Sequence, residues 1–319
     1  MSCGQNKPQK ESKTSEYKKV SCSFCKSEKV IKWGLRKTGR GKVQRYCCQE
    51  CNRKFTVDDG FYRMRNHPQK ITQALHLYYS GTSLRKTQEH LGVFNNHNCS
   101  YVTILKWIQR YSKLVGNYVD NLKVNVGEEL MSDEMEFRTK GEISWFVDVM
   151  DTKTRFIVSS DFIKGRTIEA MSKVLKKAKI RTGEQVKIVT TDGMMGYATI
   201  LKKTFGLHKR EKLTKIKHNL VIASERGFNH KIERLHNSIR ERTKIFRGFG
   251  NLNSAKTIMK GYEIYYNFCR KHQAINKYPY GLAIPELKLG VNKWLDLINL
   301  AKNRKLYNKA YLNELGGVN

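Results

Sequence analysis

From Pro68 to about Leu122 the apolar residues fall at helical spacing. Ile71, Leu75 and Tyr78 mark one face of a first helix, and Gly81-Thr82-Ser83 then breaks the period and offers an N-cap. Leu84, Thr87, His90 and Leu91 continue a second helix, expected to stop at Gly92. A polar loop, Asn95 to Asn98, leads to Ser100, which caps a third helix carrying Val102, Leu105, Trp107, Ile108 and Tyr111. Past Val126 the period changes. Glu142 to Met150 is rich in branched and aromatic residues and reads as a strand, Asp151-Thr-Lys-Thr as a tight turn, and Arg155 to Phe162 as the returning strand. Thr167 caps an amphipathic helix through Lys179, with Ala170, Met171, Val174, Leu175 and Ala178 on one face. Gln185 to Thr191 is a short strand that ends on Asp192-Gly193. Helical patterns resume after Asn229 and run, with a break near Gly248 to Asn251, to about His272. A strand pair, a helix, another strand and then helices predict an α/β core behind an all-α segment.

At 319 residues the chain is long enough for two or three modules. Lys and Arg number 61 against 28 acids, a net charge of +33 that destabilises any compact state unless a polyanion relieves it. The excess is spread along the whole chain, which points to nucleic acid. No run of 18 apolar residues occurs, so no membrane partner is expected. Met1 to Lys19 is polar and Lys-rich without an apolar core, which argues against a signal peptide and for a disordered basic tail in a cytoplasmic, nucleoid-associated protein.

Five of the eight cysteines lie between Cys22 and Cys51. Cys22-Ser-Phe-Cys25 and Cys48-Gln-Glu-Cys51 form two C-x2-C knuckles, the spacing that lets four thiolates close around one structural Zn²⁺. Cys47 competes with Cys48, whose spacing to Cys51 is the better one. So short a module buries too little to fold alone, so the metal would supply the folding energy. Phe55 is read as packing, and Lys29, Lys32, Arg36, Lys37, Arg40, Lys42 and Arg45 as a basic face suited to phosphate.

The three-helix pattern resembles a helix-turn-helix, whose last helix would enter the major groove. Ser100, Tyr101, Thr103 and Lys106 would then face DNA, while Leu105, Trp107 and Ile108 pack inward.

Three acids stand where phosphodiester chemistry would want them. Asp133 opens the α/β segment, Asp192 closes an apolar strand, and Glu233 sits on a helix within a strongly basic stretch that includes Arg226, Arg240 and Arg247. A few carboxylates converging from separate elements are what two Mg²⁺ or Mn²⁺ ions require.

These residues resemble a known family. Asp133-Glu134, the strand pair joined by Asp151-Thr-Lys-Thr-Arg, Thr-Thr-Asp192-Gly-x3-Tyr197 and Asn229-x3-Glu233-x2-His236-x3-Arg240 are similar to the DDE catalytic domain of prokaryotic insertion-sequence transposases. The resemblance runs from about Leu130 to Glu286 and implies a ribonuclease H-like mixed sheet flanked by helices. It makes Asp133, Asp192 and Glu233 the catalytic triad holding two Mg²⁺ (or Mn²⁺) ions, with Glu134, Glu136 and Asp148 as rivals for the first acid. It also makes Arg240 a DNA contact near the scissile phosphate, and His236, on the same helix face, a DNA-binding residue that could position phosphate. His272-Gln-Ala-Ile-Asn departs from the Arg-Pro-His-x-x-Leu often found there.

The domain expectations are a disordered tail over 1–19, a zinc ribbon over 20–60, a helix-turn-helix over 66–122, the catalytic domain over 126–287 and a helical tail over 288–319. The implied activity is metal-dependent cleavage and strand transfer on double-stranded DNA, at element ends and target, by a homo-oligomer. A DNA-binding regulator without activity and a nuclease that cuts without joining are the alternatives.

Overall fold

The computed structural model describes residues 20–39, 41–194, 196–207, 215–221, 230–246 and 248–302. The basic tail over 1–19 and Arg40, Arg226, Asn229 and Arg247 lie outside the described residues. The chain divides into two compact units, parted after Asp58.

In the first unit, β1 (Val30–Thr38) and β2 (Gly41–Cys48) form an antiparallel hairpin, and β3 (Lys54–Phe55) adds to β2. Gly34, at φ +69°, sits where the register slips between Lys32 and Leu35. The buried centre is Cys22, Cys48 and Phe55, with Val20, Val30, Tyr46 and Val57 against it. That is too little apolar surface to fold by burial alone.

The second unit opens with three helices. In α1 (Pro68–Tyr79) the period buries Ile71, Leu75, Tyr78 and Tyr79. Ser83 caps α2 (Leu84–Asn95) by accepting from the Lys86 amide, and Ser100 caps α3 (Tyr101–Val119) by accepting from Thr103. The second helix does not stop at Gly92. An exposed glycine costs a helix only about 1 kcal/mol relative to alanine, and the chain leaves the helix at Asn96, whose φ of 44° is left-handed. On α3 the inward position belongs to Ile104 rather than Leu105, which is half-buried.

The α/β part follows as β4 (Glu129–Thr139), β5 (Glu142–Asp151), β6 (Ile157–Ile163), α4 (Ile168–Thr182), β7 (Ile188–Thr191), α5 (Tyr197–Phe205), β8 (Lys217–Leu220), α6 (His230–Thr243) and α7 (Leu252–Ile264). A π-helical turn, Tyr265–Cys269, continues α7, and the short α8 (Pro279–Ala283) and α9 (Lys293–Lys302) end the described chain. The sheet order is β6-β5-β4-β7-β8. The first three strands are antiparallel neighbours, while β7 runs parallel to β4 and β8 parallel to β7. This is the ribonuclease H-like mixed sheet flanked by helices.

Successive residues of a strand face opposite sides, and the hydrogen bonds identify the two coverings. Ser159 donates to the α4 carbonyl of Val174, and Ser132 meets Tyr197 of α5 at 3.5 Å. Ser160 donates to Glu263 of α7, and Asp148 meets His236 of α6. So α4 and α5 cover one face, and α6 and α7 the other.

The helical segment does not stand apart from this core. Arg181, 3% exposed, donates to the carbonyls of Val119 and Leu122 at the end of α3 and to Val158 in β6. Asp120 accepts from both Lys177 (2.7 Å) and Lys260 (2.6 Å). A Cβ on Gly261 of α7 would lie 1.9 Å from the Tyr79 hydroxyl, so only glycine lets α1 and α7 close there. Trp294 of α9 stacks on Tyr79 at 5.7 Å and is 1% exposed, so this helix completes the core instead of trailing from it.

Candidate active site and thiolate cluster

The acids meet because of a register. Along the parallel pair, Leu130 lies beside Val189 and Met131 beside Thr190. Two residues further on, mid-strand Asp133 of β4 is level with Asp192, the first residue past β7. Ligand atoms of Asp133, Glu134 and Asp192 lie within 4.8 Å of one another. The structure thus brings together two of the three sequence-derived acids, and adds Glu134. Glu233 is outside that group; it is half-buried in the first turn of α6, one turn before His236. Glu136 is exposed on β4 opposite Trp145, and Asp148 is closed to solvent.

Each carboxylate is held differently. Oδ1 of Asp133 accepts from the Glu134 amide at 2.8 Å, and Oδ1 of Asp192 from the Met194 amide at 3.2 Å. Oε2 of Glu134 accepts from the Tyr197 hydroxyl at 2.8 Å, and Oε1 from Arg166 at 3.1 Å. Burial pushes the Asp133 carboxyl up; His236 opposes this, Asp148 and Asp192 reinforce it, and the result is about 7. A divalent cation is the group such a cluster of hard oxygens fits, and it would hold Asp133 ionised.

His236 does not reach out to DNA as its place in the motif suggested. It is 3% exposed, with Nε2 2.8 Å from Oδ1 of Asp148 and Nδ1 3.5 Å from Oδ2 of Asp133. It therefore braces the first acid. Arg240, one turn on, is exposed and bonds Asn237 at 3.1 Å. Lys106 is exposed near the start of α3, whereas the Thr103 hydroxyl lies 3.0 Å from Ser100 in the helix cap.

Sequence reasoning passed over Arg166 and Trp145. Nothing in the local pattern marks them, since their meeting depends on β5 and the turn before α4 being neighbours in space.

In the first unit, Cys22 Sγ lies 3.6 Å from Cys51 Sγ, and Cys25 Sγ 3.5 Å from Cys48 Sγ, with all four within 4.8 Å. A tetrahedron with Zn–S near 2.3 Å has sulfur–sulfur edges of roughly 3.8 Å, so these four fit zinc. Cys47 stands outside the group. Burial alone would push the Cys22 thiol up, but the Cys25 and Phe24 amides bring it down to about 6; the Ser27 amide pulls Cys25 down, but burial and the three neighbouring thiols push it up to about 12.

Comparison with known proteins finds a family domain over the α/β part of the chain. Residues 128–272 match the family model of the DDE domain of transposases. The chain therefore carries a DDE transposase domain over that segment. No curated protein matches it significantly. Among solved structures it is similar to the simian T-cell lymphotropic virus intasome in complex with a PP2A regulatory subunit (14% identity, 51% of this chain, 56% of that chain, TM-score 0.39). It is also similar to the HTLV-2 integrase catalytic core domain with magnesium (14%, 50% and 98%, 0.36). A third is the Drosophila P element transposase strand transfer complex (14%, 81% and 83%, 0.34). The chain spans little more than half of the first of these.

Proposed function

We propose that this chain is a transposase that binds the ends of an insertion sequence, cuts a strand there and joins the freed 3′ end to target DNA. The observation that carries the reading is the convergence of Asp133 and Asp192 within 4.8 Å, from adjacent parallel strands of a DDE domain. Two Mg²⁺ or Mn²⁺ ions bound there would supply charge stabilisation at the attacking and leaving oxygens of the phosphodiester.

The rest of the work falls to the chain. Asp133 and Asp192 bind the ions, and Glu233 completes the set from the first turn of α6. His236 and Asp148 fix the orientation of Asp133. Arg240, exposed on α6, contacts the DNA strand beside the acids. Lys106 and the neighbouring first turn of α3 read the element end, and Thr103 holds that turn in its cap. The four cysteines hold one structural zinc, and the basic hairpin around them contacts phosphate. With a net charge of +33, duplex DNA is the natural partner. Bringing two element ends together requires at least two protomers. Among the described residues no helix is long and apolar enough to cross a membrane, and we place the protein with the DNA in the cytoplasm.

The test is strand transfer with a pre-cut duplex from the DNA that brackets the coding sequence. With Mg²⁺ or Mn²⁺ the wild type is expected to join its 3′-OH end to a target plasmid, and Glu233→Gln to bind the end but join nothing. Nicked target without joined product would favour a nuclease, and end binding without any product a regulator.

A further inference from the structure

Beside the acids stands a cation that the reading above leaves unused. Arg166, in the turn between β6 and α4, lays its guanidinium over the indole of Trp145, 3.9 Å from the ring centroid. Its Nη1 donates to Oε1 of Glu134 at 3.1 Å and lies 3.9 Å from Sδ of Met194, two residues past Asp192. The Glu134 side chain is 3% exposed, and that of Arg166 is 41% exposed. The guanidinium is thus fixed at the rim of the acid cluster and open to solvent on one side.

Fixed this way, the guanidinium is anchored at one edge and free at the others. Glu134, its side chain buried and also bonded to the Tyr197 hydroxyl, holds it, while the Arg166 side chain stays 41% exposed. Stacking on an indole holds the guanidinium plane while leaving its edges free to donate. A guanidinium has five N–H donors, and its planar fork matches two oxygens of one phosphate. Metal ions on the acids would meet the phosphate being cut, and a guanidinium at the edge of the cluster is placed to meet its neighbour.

We propose that Arg166 is a substrate-binding residue that grips a phosphodiester next to the one being cut, with Trp145 and Glu134 as its supports. This rests on the transposase reading. It assigns a contact on the opposite side of the sheet from Arg240, because Glu134 faces Tyr197 of α5 and Asp133 faces His236 of α6.

The experiment uses end duplexes from the DNA bracketing the coding sequence, each with one uncharged methylphosphonate at a position flanking the cut. Wild type, Arg166→Ala, Arg166→Lys and Trp145→Leu are compared for cleavage, DNA affinity, thermal unfolding and Mn²⁺ binding. A charge-assisted contact of this kind corresponds to about 10- to 100-fold in rate or affinity. Arg166→Ala is expected to lose that much on the unmodified end with its Mn²⁺ binding retained. Wild type should lose as much from one neutralised flanking phosphate, and Arg166→Ala less than about twofold more at that same position. Arg166→Lys should recover part of the loss, and Trp145→Leu should fall between. If Arg166→Ala fails to fold, Arg166→Lys and Trp145→Leu decide: unchanged phosphate sensitivity in both overturns the proposal. Wild-type cleavage by Arg166→Ala, or undiminished sensitivity at every position, also overturns it. A wild type that cuts no end with any divalent ion sinks the transposase reading and this proposal together; a cutting wild type indifferent to Arg166 sinks only the proposal.

Discussion

Nε2 of His236 lies 2.8 Å from Oδ1 of Asp148, a carboxylate wholly closed to solvent. The other ring nitrogen faces Asp133 at 3.5 Å. Burial alone would make the imidazole less basic, but Asp148 and then Asp133 outweigh it and raise its pKa above the usual value. A raised folded pKa means the pair's stabilisation is complete below the unfolded value near 6.5 and is lost as pH rises through the folded one. His236→Ala leaves Asp148 buried without its partner, and that loss is expected to cost about 3–5 kcal/mol in denaturant unfolding at pH 6. A cost under about 1 kcal/mol would show that the pair does not brace the site.

The Asp133 carboxyl, raised to about 7, predicts a penalty for the site itself. Between its unfolded pKa near 3.9 and about 7, the folded state keeps a proton that the unfolded chain has lost. Stability therefore falls as pH rises through that window, and the full cost applies above it. Asp133→Asn removes the titration. In chelator-treated buffer at pH 8 it is expected to be more stable than wild type by on the order of 1–3 kcal/mol, with the gap closing toward pH 4. Adding Mn²⁺ should stabilise the wild type more than the variant. A variant less stable at pH 8 would contradict the burial argument.

Zinc removal tests the first unit separately. With a buried centre of Cys22, Cys48 and Phe55 only, residues 20–58 are expected to unfold on chelation while the rest of the chain keeps its structure. Elemental analysis should find one zinc per chain, falling to less than a tenth of that in Cys48→Ser. Limited proteolysis of the chelated protein should then cut within residues 20–58 and spare the second unit. Proteolysis unchanged by chelation would remove the metal from the folding account.

Much of this was legible in the sequence where a local rule decides. Ser83, Ser100 and Thr167 cap the helices expected of them because capping needs only a side-chain oxygen and the next amides. The strand that carries Asp133 was not read as a strand. Its run Ser132-Asp-Glu-Met-Glu alternates poorly, because chemistry occupies both faces: Ser132 and Glu134 meet α5, and Asp133 meets α6. Asp133 and Asp192 could be named from motif and strand ending, but not the bracing of Asp133, since His236 and Asp148 are 88 residues apart. Nor could the sequence show that α9 closes over Tyr79, a contact made by packing across the whole second unit.

The most direct test of the account is cleavage of an element-end duplex by wild type and Asp192→Asn across a Mn²⁺ titration. The geometry predicts metal-dependent cutting by the wild type and a loss of at least about 1,000-fold in the variant, equivalent to roughly 4 kcal/mol of transition-state stabilisation, with DNA affinity unchanged. Equal cutting by both proteins would contradict the assignment of Asp133 and Asp192 as a shared metal site.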